Sequence, residues 1–130
     1  MAVRLFLGFS ALAFLPYGIF CLVQPSFLGE AAGVVSGSTT GTIELRAMYG
    51  GLQAGLGVLA GLAVFRAELV RPALIALGFL CSGPFMARLL GVGLSGELSG
   101  YTASALAFEM AMAALAIRFV SRSDGGSQAA

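Results

Sequence analysis

Two charged residues stand inside otherwise apolar stretches of the chain, Arg88 and Glu109. A charge at the centre of a membrane helix costs about 2.5–3.5 kcal/mol on the insertion scale, so such residues pair, face a cavity, or work. At helical rise Arg88 lies about 8 Å inward from Gly93, and Glu109 about 12 Å inward from Tyr101. Opposite charges at similar depth on neighbouring helices are expected to face each other. Arg46, Tyr49 and Gln53 follow an i, i+3, i+7 spacing that would place them on one helical face at a comparable level. Tyr17, beside Pro16, falls at a similar depth, and Glu44 and Tyr101 are secondary candidates. The expectation is one intramembrane polar cluster of Tyr17, Arg46, Tyr49, Gln53, Arg88 and Glu109.

Three uses fit such a cluster. It can be an ion-pair network that fixes helix register, a pocket for a small molecule or lipid headgroup, or, less readily in a chain this small, a transport path. Catalysis has little to stand on. A buried carboxyl can serve as an acid or base, but an arginine partner would hold Glu109 ionised, and no serine or cysteine has a histidine to activate it, because the chain has no His. No metal-binding cluster is present, and no cofactor is expected. Two separated cysteines without histidine cannot complete a zinc site. Cys21 and Cys81 read as free core thiols, since their depths differ by more than the ~7 Å that a disulfide spans.

These residues need elements to hold them. The chain has 130 residues, of which 58% are hydrophobic and 10% charged, against roughly 25% charged in soluble domains. Four apolar stretches have the ~20 residues that a helix needs to cross hydrocarbon. They predict helices over 5–23, 47–65, 73–92 and 101–120, an all-α four-helix transmembrane bundle over 1–123. A mobile polar tail is expected over 124–130. The first stretch reads as a retained helix rather than a cleaved leader, because it is long, contains Pro16 and lacks a small-x-small site. The connection 24–46 is long. Its Pro25–Ala32 part is compatible with a short surface helix, and Ser36–Thr42 reads as a polar turn. Pro72 suits the first turn of the third helix, and Pro84 should free the Leu80 carbonyl. Glu44 is placed near the start of the second helix, where a carboxylate is favoured. Gly51 and Gly55, like Gly57 and Gly61, are small-xxx-small pairs that serve internal or intermolecular packing.

The segment Glu44-Leu45-Arg46-Ala47-Met48-Tyr49-Gly50-Gly51-Leu52-Gln53 resembles a bacterial membrane-protein family known as domain of unknown function 4345. The likeness extends through Leu15-Pro16-Tyr17-Gly18, Ala87-Arg88-Leu89-Leu90-Gly91 and Gly100-Tyr101-Thr102 to Glu109. The resemblance implies four spans and a bacterial inner-membrane location, and it brings no activity. Two roles remain open on the residues alone. One is a non-enzymatic protein that binds a small molecule or lipid. The other is an accessory subunit packed against a larger membrane complex or another copy of itself. With a net charge of +1 and no basic cluster, nucleic acid is not an expected partner.

The arginines set the expected topology. Arg4, Arg66, Arg71, Arg118 and Arg122, five of the seven, share a side if there are four spans. The positive-inside rule puts that side, with both termini, in the cytoplasm. Reporter fusions after Arg122 and within 67–70 should behave as cytoplasmic and a fusion at Gly37 as external; an external C-terminus would overturn the orientation.

Overall fold

The structure, a computed structural model, describes the backbone of residues 1–127 and the side chains of residues 1–122. The polar tail expected over 124–130 lies outside the residues whose side chains are described. All regular elements of the described residues are helical: α1 (Ala2–Val23), α2 (Phe27–Ala32), α3 (Thr39–Leu45), a π-helical turn (Arg46–Gly51), α4 (Leu52–Phe65), α5 (Ala67–Ser95) and α6 (Gly100–Ser127). Four helices are long and apolar enough to cross a membrane: Ala2–Val23, Thr39–Phe65, Ala67–Ser95 and Gly100–Arg122. Side chains such as Leu12, Phe79 and Leu94, each more than three-quarters exposed, would be a liability in water and are at home against lipid.

The second span begins earlier than the expected residue 47. Ser38 adopts an extended conformation and its hydroxyl accepts the Gly41 amide at 3.0 Å, which is N-cap geometry. The Ser36–Thr42 segment therefore launches a helix instead of forming a free turn. Glu44 consequently sits in the second turn of α3, past the amide-rich end where a carboxylate is favoured. The connection between α4 and α5 is also shorter than expected, since Arg66 is extended and α5 starts at Ala67. Pro72 thus lies inside α5 instead of in its first turn, and the helix continues through Pro72 and Pro84.

The chain divides into two compact units, residues 1–70 and 71–130. In the first, α1 runs antiparallel to the second span at backbone contact. A β-carbon added to Gly57 would sit 2.5 Å from the Leu15 amide nitrogen, and one on Gly50 would sit 2.9 Å from that of Leu22. Gly18 meets the Ala54 backbone, Gly61 faces Ala11, and Gly8 faces Val64. Each step down one helix is matched by a step up the other. Leu7, Ser10, Phe14, Gly18 and Cys21 form the buried face of α1, and Leu56, Gly57, Ala60 and Ala63 that of α4. The Ser10 hydroxyl is satisfied by the Phe6 carbonyl at 2.8 Å.

The short α2 is fastened to the end of α1 by an edge-to-face contact between Phe20 and Phe27, with ring centroids 5.1 Å apart. It closes on Gly33, whose positive φ of 67° allows the Val34 amide to reach the Leu28 carbonyl. Leu28 is fully buried. Cys21 and Cys81 are both buried free thiols.

In the second unit Gly78 of α5 lies against Ala116 and Ile117 of α6. Two reversals fix the connection between these helices. Gly96, at φ 71°, ends α5 with its amide on the Val92 carbonyl. Ser99 caps α6, its hydroxyl accepting the Thr102 amide at 3.1 Å.

Glycine contacts of this kind make a sharp test of the α1–α4 packing. Gly57→Ala and Gly18→Ala force backbone apart and should each destabilise the protein in detergent by about 1–3 kcal/mol or more. Gly55→Ala, whose added carbon would meet nothing within 4 Å, should be neutral or stabilising by up to about 1 kcal/mol, since Ala is the better helix former. Equal effects at the three positions would mean that the close approach is absent in solution.

Candidate functional site

Arg88 and Glu109 are brought together. Arg88 lies seven residues from the end of α5 at Ser95, about 10 Å inward, and Glu109 lies nine residues from Gly100, roughly 14 Å inward. Because the two helices run antiparallel through a short, doubly capped connection, these counts place the charges opposite one another. The Arg88 guanidinium forms a salt bridge to Glu109 Oε1, and both side chains are largely removed from solvent, 26% and 13% exposed. The second carboxylate oxygen, Oε2, is buried and accepts no hydrogen bond from the protein. A charge-assisted bond of this type is stronger than a neutral one, and it offsets the desolvation that either group alone would suffer.

Above the pair, toward the α5–α6 connection, a cavity of about 410 Å³ opens, with Arg88 in its lining. Its polar walls are Ser95, Glu97, Ser99 and Thr102. Sequence reasoning did not single out the first three, because each looks like ordinary turn chemistry. The available signal was their density: hydroxyls and a carboxylate crowd a short stretch directly after an intramembrane arginine. Their geometry is held by local bonds. Ser95 Oγ accepts the Glu97 amide at 3.1 Å, and the Ser99 and Thr102 hydroxyls share a hydrogen bond of 2.9 Å. Tyr101 is half-buried beside this wall, and its carbonyl accepts the Ser104 hydroxyl at 2.8 Å.

The remaining candidates belong to the first unit. Arg46 opens the π-helical turn, and its Nε donates to the Leu22 carbonyl at 3.0 Å. That carbonyl is one of the last four of α1, which have no partner within the helix, and a cation there also suits the negative end of the helix dipole. The i, i+3, i+7 reading of Arg46, Tyr49 and Gln53 presumes 3.6 residues per turn throughout. The wider π turn between Arg46 and Gly51 breaks that presumption. Arg46 lines a cavity beneath the connection between α1 and α3, whereas Tyr49 and Gln53, both half-buried, do not line it. Tyr17 is half-buried on α1, and Glu44 is exposed on α3. Among the described residues no group of three His, Cys, Asp or Glu side chains could hold a metal ion.

The pairing of Arg88 with Glu109 has a direct thermodynamic signature. Glu109→Gln and Arg88→Met should each lower stability in detergent by about 3–5 kcal/mol, because the surviving group is stranded. The double variant should recover much of that loss in a denaturation cycle. Strictly additive losses would show that the two residues are not coupled.

The pattern of the family described as Domain of unknown function (DUF4345) matches residues 2–120, and the chain belongs to that family. No curated protein and no solved structure matches the chain.

Proposed function

We propose that this DUF4345 member is a non-enzymatic, multi-pass protein of the bacterial inner membrane that holds a small zwitterionic molecule or lipid headgroup at the Ser95–Gly100 end of α5 and α6. The observation that carries the reading is the cavity lined by Arg88, whose guanidinium is oriented by Glu109. Held by Glu109, the guanidinium presents a fixed positive charge to the cavity that it lines, which suits an anionic group of a ligand. Glu97 places a carboxylate in the same cavity, so a ligand that carries both an anionic and a cationic group matches the lining. The hydroxyls of Ser95, Ser99 and Thr102 suit the polar atoms between them. None of these hydroxyls has a histidine to activate it, because the chain contains none, so binding fits the site better than covalent chemistry. Under the positive-inside topology the cavity opens on the outer side of the membrane.

A second reading, an accessory subunit, is favoured by Gly51 and Gly55. Both are exposed, and an added β-carbon would meet no neighbouring helix at either. That leaves a small-residue face of the second span open for a helix of another chain.

Purification in mild detergent, followed by native mass spectrometry for small molecules, lipids and proteins together, separates the readings. Wild type should carry a zwitterionic small molecule or phosphatidylethanolamine. Glu97→Ala and Thr102→Val should lose it at an unchanged melting temperature, and Tyr49→Phe, which lies off this lining, should keep it. Retention of the same species by all three variants would sink the pocket reading. A stoichiometric partner protein lost on Gly55→Leu would favour the accessory role.

A further inference from the structure

The cavity beneath the connection between α1 and α3 is a second site of different character. It has a volume of about 410 Å³, and Arg46 is the one charged residue in its lining. Glu30 and Glu44, the acidic residues of this region, do not line it. The remaining wall is divided between polar groups, among them Gln24 and Ser26, and apolar ones such as Val23, Pro25, Val34 and Leu45.

The donors can be counted. Arg46 Nε is committed to the Leu22 carbonyl, which fixes the plane of the guanidinium and leaves its terminal edge, two parallel N–H groups, as the part able to grip an anion. The Thr42 hydroxyl donates to the Ser38 carbonyl at 3.2 Å, so in the Ser36–Thr42 pair, 2.7 Å apart, it is Ser36 that donates. Both of those protons are therefore used within the loop. Ser26 stands at the N-cap position of α2, and its hydroxyl makes no capping bond. It and the Gln24 amide complete the donor set with Arg46. A planar two-donor edge with additional neutral donors, and no carboxylate opposing it, is the recognition chemistry of a phosphate group. The apolar wall beside it would meet the uncharged part of a phosphate ester.

We infer that this cavity binds a phosphate ester, with Arg46 gripping the phosphate and Ser26 and Gln24 completing its coordination. Arg46 then has two jobs at once: Nε closes the end of α1, and the terminal edge holds the ligand. The π-helical turn that starts at Arg46 belongs to this design, since π-bulges recur where a helix must aim a side chain at a functional site. The lining residues of this cavity are distinct from those of the Arg88 cavity, so the two sites can be tested independently.

Delipidated protein is offered phosphatidylglycerol, glycerol 3-phosphate or inorganic phosphate in separate samples, and bound species are counted by native mass spectrometry. Wild type should retain a phosphate-bearing species. Arg46→Met and Ser26→Glu should each weaken it about tenfold or more, the first by removing charge-assisted bonds and the second by adding repulsion. Arg4→Met, which removes an equal charge at the other end of α1, should leave binding unchanged. Phosphatidylglycerol that resists millimolar glycerol 3-phosphate identifies a lipid headgroup site, and displacement by the soluble ester identifies a free phosphate ester; either supports the assignment. Three outcomes overturn it: no phosphate species on wild type at millimolar concentration, undiminished binding in both variants, or normal binding by Ser26→Glu while Arg46→Met merely melts at lower temperature. Glu97→Ala should not alter phosphate binding, so failure of the Arg88 cavity as a ligand site leaves this result readable.

Discussion

In hydrocarbon no solvent competes for a polar group, and no solvent drives two helices together. Each half of this chain meets that constraint with a different device. Residues 1–70 associate through backbone contact, which only glycine permits at Gly18, Gly50 and Gly57. Residues 71–130 carry a charged pair instead, Arg88 on Glu109, whose mutual bond compensates two otherwise expensive groups. Dispersion between close surfaces supplies the first association, and electrostatics in a low dielectric supplies the second.

Both devices have local consequences that define the polar sites. Close approach of α1 to the second span brings the Leu22 carbonyl within reach of Arg46, so the same helix pair that packs through glycine also positions a cation at its end. In α5 and α6 the caps at Gly96 and Ser99 hold the connection short enough for Arg88 and Glu109 to meet in register. Ser99 also borders the cavity that Arg88 lines. The proposed binding role therefore falls partly on a side chain that also caps a helix, so ligand binding is to be measured alongside stability.

Several features were legible in the residues themselves. Long continuous apolar runs require membrane-length helices, because a helix satisfies its own backbone in lipid and an open strand does not. Arg88 and Glu109 were readable as a pair because their distances from the helix ends translate directly into depth at fixed rise per residue, and the structure joins them. A family likeness was carried by the stretch from Glu44 to Gln53, and the match over residues 2–120 agrees with it.

Other features depended on tertiary structure, and each has a physical reason. Periodicity assumes a uniform 3.6-residue turn, so it could not foresee the π turn at Arg46–Gly51, nor that Arg46 lines a cavity that Tyr49 and Gln53 do not. Ser38 reads equally well as a turn residue or an N-cap; its bond to the Gly41 amide decides for the cap and starts the second span at Thr39. Gly51 and Gly55 are indistinguishable from Gly57 and Gly61 by spacing. Only the packing shows that Gly57 and Gly61 face α1 while Gly55 meets nothing. Helical rise, a property of the backbone alone, determines depth from the sequence. The facing of a side chain and the partner of a hydrogen bond depend on what a second helix brings, and tertiary structure decided those.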